Sequence, residues 1–219
     1  LVFFGIENPN VDFRAKDIEE KNGFTSFTVE FYGASQRVTV PTVGIHNVYD
    51  ALAAFAVGYE MRMEPQKIAA GLKSFVPSGM RQRIKKVGGI TVIEDCYNAS
   101  PDSQKAALDV LSSFKSNRRI AVLGDMLELG KYSDVSHENV GKYTENKNID
   151  ILFTYGEKAK HIAEGAKGFV DEIKSFDDKT ELAKTLLETL KDGDAVLFKA
   201  SRGMKLEDVI NSLYREWEE

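Results

Sequence analysis

Two short runs carry residue types that their surroundings do not require. Asp95-Cys96-Tyr97-Asn98 puts an acid, an aromatic and an amide into four positions, and Lys199-Ala200-Ser201-Arg202 puts two cations and a hydroxyl into four. Each run follows an apolar stretch and precedes a helix-like one. Helix starts draw on Asp, Asn and Ser for capping, but capping has no use for an aromatic or a cation there. Asp102 and Ser103 fit the helix-start role. Asp95, Tyr97, Lys199 and Arg202 fit it poorly.

Several common chemistries are not written in the chain. There is no GxxxxGK[ST] phosphate loop, since the two Gly-Lys pairs, at 130–131 and 141–142, are each followed by Tyr. The dinucleotide fingerprint GxGxxG and the GxSxG nucleophile elbow are missing as well. His46, His137 and His161 lack metal-ligand spacing and read as local hydrogen-bonding residues, so no metal site is expected among them. Cys96 has no neighbouring histidine in sequence and reads as packing. The basic run Arg81 to Lys86 reads as a solvated strand edge.

The elements that must position the polar runs follow from periodicity. Residues 1–40 look β-rich: Phe27, Val29 and Phe31 alternate, as do Val38 and Val40, with residues 33–36 as the turn between them. A helix follows from Val48, with Gly44 and Asn47 suited to its start, and a second begins at Pro65. This first segment reads as a β-hairpin plus two helices. Pro77-Ser78-Gly79 is a breaker cluster and the expected linker, so the expected domains are 1–79 and 80–219. Beyond it, five apolar runs (90–95, 119–125, 149–155, 169–176 and 194–200) alternate with helical patterns. That rhythm predicts an α/β domain with a doubly wound, Rossmann-like, mostly parallel sheet covered on both faces. Ligands of such sheets gather at the carboxyl ends of the strands, where Asp95, Tyr97, Asn98, Asp125, Glu128, Glu157, Lys199 and Arg202 all fall.

The 219 residues include 42% hydrophobic and 29% charged, enough to bury a sizeable core, with a formal net charge of −5. That balance argues against nucleic acid as the main partner. The single cysteine rules out an internal disulfide and suits a reducing compartment. No stretch reaches the length of a membrane span, and the expected location is the cytoplasm. The opening LVFFG reads as the interior of a strand, so the expectation is a piece of a longer protein.

Five stretches taken in order resemble the Mur ligases, the ATP-dependent amide-forming enzymes of peptidoglycan precursor synthesis. They are GIHNVYDALAAFAVG, GMRQR, EDCYNASPDSQKAAL, LGDMLELG with His137 downstream, and FKASRGMKLED. The marks are most similar to the branch that joins D-alanyl-D-alanine to UDP-N-acetylmuramoyl-tripeptide. The resemblance covers nearly the whole chain and implies the end of the central ATPase domain followed by the complete C-terminal domain. It implies that the UDP-binding domain, the phosphate loop and the Mg²⁺ ligands lie outside these residues, so that the chain alone is inactive. It further implies that Asn47 contacts adenine with His46 in support, and that Arg81 in a hinge reaches the ATP phosphates or ribose. Asp95 would hold the ribose or orient the hinge, Tyr97 and Asn98 would line the ATP cleft, and Lys199, Ser201 and Arg202 would face the dipeptide or tripeptide. Two positions depart from the family pattern. Asp50 stands where an adenine-contacting Asn is usual. Ala200 stands for Gly, which implies a shifted backbone there if that turn needs positive φ. The rival readings are another Mur-type ligase, of the folylpolyglutamate or cyanophycin kind, and a free-standing nucleotide- or peptide-binding module.

Overall fold

The computed structural model describes residues 1–21, 23–76 and 79–218. It divides into two compact units, Leu1–Pro77 and Ser78–Glu219. Pro77 and Ser78 of the expected linker lie outside the described residues.

The first unit is a sheet of four strands, β1 (Phe4–Gly5), β2 (Phe13–Lys21), β3 (Phe24–Phe31) and β4 (Ala34–Val40), in that spatial order. β2, β3 and β4 are antiparallel, and β1 runs parallel to β2. Period-two alternation buries Phe27, Val29 and Phe31 on one face of β3, with Val38 and Val40 beside them. Helices α1 (Ile45–Glu60) and α2 (Pro65–Lys73) cover this face, α1 with Val48, Leu52 and Phe55 at helical spacing. Phe13, Phe31 and Phe55 meet ring to ring, their centroids 5.3 to 6.3 Å apart.

Three expectations need correction here. The segment is a four-stranded sheet, not a hairpin alone. The β3–β4 turn is Tyr32-Gly33, with φ of 44° and 80°, while Ala34, Ser35 and Gln36 already belong to β4. Two consecutive positive φ angles suit the right-handed twist of the flanking strands, and glycine supplies the second without strain. α1 begins at Ile45, three residues before the expected Val48, with Gly44 as its N-cap and Asn47 inside the first turn. Leu1, Val2 and Phe3 precede β1 and are exposed, although the Phe3 carbonyl accepts from the amides of Asp12 and Phe13.

The second unit is a six-stranded sheet in the order β5-β6-β10-β7-β8-β9. Its strands are β5 (Arg83–Val87), β6 (Ile90–Asp95), β7 (Arg119–Gly124), β8 (Ile151–Tyr155), β9 (Glu172–Phe176) and β10 (Ala195–Lys199). All neighbours are parallel except β5, which runs antiparallel to β6 at the edge. Helices α3 (Pro101–Ser113), α4 (Ser133–Lys142), α5 (Lys160–Gly165), α6 (Lys179–Thr189) and α7 (Glu207–Glu218) connect and cover the strands. The central strands are apolar on both faces, as a doubly covered sheet requires: Ile120 to Leu123 and Ala195 to Phe198 have no exposed surface. The basic edge strand turns one cation inward. Lys85 Nζ and the Tyr214 hydroxyl both donate to Oε1 of the fully buried Glu94, at 2.9 and 2.5 Å, which ties β5 and α7 to β6. Among the described residues no helix is long and apolar enough to cross a membrane.

α4 and α5 approach closely because each offers a glycine. A methyl group on Gly141 would lie 2.1 Å from the Ile162 carbonyl oxygen, and one on Gly165 would lie 2.1 Å from that of Glu138. Gly141→Ala is therefore expected to lower unfolding free energy by about 1–3 kcal/mol, the usual cost of overpacking. Gly71→Ala, in α2 with open space around it, should raise it by about 0.5–1 kcal/mol through helix propensity. Urea unfolding monitored by circular dichroism checks both signs.

Candidate functional site

The register of β10 sets the site of the second unit. Lys199, its last residue, pairs with Asp95 on β6 and with Leu123 on β7. Three strand ends therefore stop at one level, and the chains leaving them share one rim.

Beneath that rim lies a buried polar layer. Lys199 is 2% exposed, and its ammonium donates to Asp95 Oδ2 at 2.7 Å and to the Asn98 carbonyl at 3.0 Å. Asp95 Oδ1 accepts from the Gln82 amide at 3.1 Å. Ser201 is also buried, and its hydroxyl accepts from the Leu127 amide at 2.9 Å while its own amide donates to the Asp125 carbonyl at 3.0 Å. Asp125 Oδ1 in turn takes the Ala159 amide at 2.7 Å. Gln104 Nε2 donates to the Gly124 carbonyl from inside α3. Together these bonds lace the exits of β6, β7, β8 and β10.

His137 closes the layer from α4. Its Nε2 accepts from the Met126 amide at 2.9 Å, so the proton sits on Nδ1, which donates to the Ser133 carbonyl at 2.7 Å. Burial pushes the His137 pKa below that of an ordinary histidine, and the packing groups that act on it are Asp125, Asp134 and His161. Burial likewise pushes the Cys96 thiol up, with the Asp95 carboxylate adding to the effect. Cys96 is therefore a packed thiol, its Sγ 3.3 Å from the Phe198 carbonyl.

Above the layer stands an exposed set. The Arg81 guanidinium lies 4.0 Å from the centre of the Tyr97 ring, and that of Arg202 lies 5.1 Å from it. All three residues are exposed, as is Asn98. Two permanently charged, planar donors beside an aromatic face suit an anionic ligand. α3 begins immediately beyond. Ser100 is its N-cap in a reciprocal pair with Ser103, and Pro101 is its first residue.

In the first unit, His46, Asn47 and Asp50 occupy the opening turns of α1 at spacings that share one face. Asn47 Nδ2 donates to the Val43 carbonyl at 2.8 Å and lies 3.0 Å from His46 Nε2. Asp50 is exposed one turn further on.

The structure thus brings Asp95, Asn98 and Lys199 into one cluster and Arg81, Tyr97 and Arg202 into another directly related to it. Lys199 and Ser201 lie under the rim, their polar atoms bonded within the layer. One expectation needs correction. Ala200 does not take a positive φ, so alanine fits its turn without strain. The close approach falls at Gly124, where a methyl would lie 2.7 Å from Ala200 Cβ. Sequence reasoning placed Asp125 at a strand exit and passed over Gln82 and Gln104. Gln104 could have been found as a polar residue on the inner face of a helix, but nothing in the sequence marks Gln82.

A family profile described as "Mur ligase, glutamate ligase domain" matches residues 80–202, more than half of the chain, and one described as "Mur ligase middle domain" matches residues 1–58. This chain belongs to the Mur ligase family. Curated Mur ligases resemble it over most of its length. The UDP-N-acetylmuramoyl-tripeptide–D-alanyl-D-alanine ligase of Bacillus subtilis is 39% identical over 206 residues, covering 92% of this chain and 45% of the relative. The enzyme of that name from Haemophilus influenzae is 35% identical over 209 residues, covering 92% and 44%. Among solved structures, a MurF ligase from Thermotoga maritima in complex with ADP superposes with a TM-score of 0.84 at 26% identity, covering 99% of this chain and 49% of that one. The chain spans about half the length of the curated relatives it matches.

The histidine bond to Met126 gives a pH signature. His137 titrates lower when folded than its ordinary 6.5. The stability it contributes is complete above pH 6.5 and is lost as pH falls from there through the folded value. His137→Leu should leave the Met126 amide buried without a partner, cost about 1–3 kcal/mol and remove this share of the pH dependence. His137→Gln, which restores an acceptor, should cost less. Urea unfolding of the three proteins between pH 5 and 7.5 checks this.

Proposed function

We propose that residues 1–79 are the closing part of the ATPase domain, and residues 80–219 the C-terminal domain, of a ligase that joins D-alanyl-D-alanine to UDP-N-acetylmuramoyl-tripeptide. The observation that carries this reading is the exposed Arg81, Tyr97 and Arg202 set, seated on a buried polar layer, in a chain whose relatives bear that ligase's name.

In the proposed reaction a tripeptide carboxylate oxygen attacks the γ-phosphorus of ATP and ADP leaves. The amine of the dipeptide then attacks the acyl phosphate carbon, the amide bond forms, inorganic phosphate departs and the amine gives up a proton. Negative charge builds on transferring and leaving oxygens, and positioned cations stabilise it. Arg81 would act on the nucleotide phosphates or ribose, and Arg202 on the carboxylate end of a peptide substrate. Tyr97 and Asn98 would line the cleft. His46, Asn47 and Asp50 would attend the adenine, with Asp50 accepting where an asparagine could also donate. Lys199 and Ser201 serve by holding the rim that carries Arg202.

These residues do not include a triphosphate cradle, and we assign it to sequence outside them. Among the described residues no three His, Cys, Asp or Glu side chains group so as to hold a metal. The Mg²⁺ that would neutralise phosphate charge in this reaction would be held by the same outside sequence. ATP as donor places the reaction in the cytoplasm.

The test is phosphate release by the full-length protein in which this sequence occurs. Release should require ATP, the UDP-tripeptide and D-alanyl-D-alanine together. Turnover with a single amino acid in place of the dipeptide, or none with any combination, contradicts the proposal. Arg202→Met should lower kcat/KM for the dipeptide or tripeptide by about 100-fold, the scale of losing one positioned donor, while leaving the KM for ATP within a few-fold.

A further inference from the structure

The ammonium of Lys199 is far from free. It sits at the end of β10 with Asp95 Oδ2 at 2.7 Å and the Asn98 carbonyl at 3.0 Å, and the other Asp95 oxygen reaches the Gln82 amide at 3.1 Å. Gln82 has a φ of 46°, in the left-handed region. A residue with a side chain is disfavoured there by the approach of Cβ to the following carbonyl. The backbone keeps such a conformation only where its surroundings over-determine it. Here one restraint is a charge-assisted hydrogen bond to a carboxylate, and that carboxylate is fixed by a buried lysine. A second bond, from the Tyr97 amide to the Met80 carbonyl at 3.2 Å, fixes the other side of Arg81. Arg81 is thus held between two restrained neighbours, with its guanidinium over Tyr97.

We infer that Lys199 is a positioning residue that acts through Asp95 and the Gln82 amide to place Arg81, and does not itself touch substrate. This differs from the substrate contact that family resemblance implies for Lys199, and it deepens the function proposed above, on which its activity arm rests. The geometry requires it to work as a series. Removing Lys199 frees the Asp95 carboxylate to turn toward water, the Gln82 amide loses its acceptor, and the left-handed turn relaxes. Arg81 then leaves its place above Tyr97.

A series and an independent contact behave differently in a double-mutant cycle. In the full-length protein, Lys199→Met and Asp95→Asn should each lower kcat/KM for ATP by about 100-fold, the scale of a small misplacement of a charged group. The double variant should be no worse than the poorer single one. Loss factors that multiply, or a Lys199→Met defect confined to the KM of the dipeptide, overturn the inference. Amide hydrogen exchange supplies the arm that does not depend on activity. Lys199→Met should speed exchange at Gln82 and leave the Ala159 amide, which Asp125 holds, at its original rate. Unchanged protection at Gln82 overturns the inference, as does equal acceleration at both amides, which marks general unfolding. A wild-type protein that does not ligate would sink the proposed function, and the exchange result would still decide the role of Lys199.

Discussion

The second unit depends on where β10 lies. It enters the sheet between β6 and β7, although 70 residues, 125–194, separate it from β7 in sequence, and its register puts Lys199 opposite Asp95. In a sheet buried on both faces a slip of one residue would exchange the two faces of every side chain on the strand. The run Ala195 to Phe198 is apolar and fully buried on both faces, and a slip would also carry Lys199 away from Asp95. The register therefore decides that an ammonium meets a carboxylate at the strand ends. Taking both from water is costly and is tolerated because the ammonium has a further acceptor in the Asn98 carbonyl and the carboxylate a further donor in the Gln82 amide.

From that pair the site is built in two layers. The lower one is buried: Lys199, Ser201, Asp125, Gln104 and His137 each bond a backbone group at the exits of β6, β7 and β8, and Gln104 Oε1 alone among their side-chain polar atoms is buried without a partner among the described residues. The upper one is exposed and carries the permanent charges of Arg81 and Arg202. Binding sites placed on a rigid shell lose less conformational freedom when they close on a ligand. This division explains why the cations nearest in sequence, Lys199 and Arg202, have opposite surroundings. One ends a buried strand, and the other begins the 3-10 turn Arg202–Met204 beyond it.

Much of this was legible from residue order. Alternation in Phe27, Val29 and Phe31, the apolar runs of β6 to β10 and the helical spacing of α1 each report on a local period, and local periods are what a single sequence encodes. The polar strand exits were legible because aromatics and cations have no capping role. What escaped depends on contacts between distant segments. Lys199 looks like any strand-end lysine until β10 is set beside β6, and the left-handed Gln82 has no glycine or asparagine to mark it. The β3–β4 turn was misplaced by two residues because Gly33 follows Tyr32, an unusual occupant of a positive φ. The departure at Ala200 looked like a backbone problem and is a packing matter shared with Gly124.

Under the proposed function, the exits of β6, β7 and β10 form one preassembled surface that the substrates would meet. Hydrogen–deuterium exchange of the full-length protein, with and without ATP, UDP-tripeptide and D-alanyl-D-alanine, tests this most directly. The account predicts added protection concentrated in residues 95–101 and 199–205 on substrate addition. The His137-held segment 124–130 should already be slow to exchange without them. Protection that instead appears along β9 or nowhere in the second unit, or a 124–130 segment that exchanges freely until substrate binds, would contradict it.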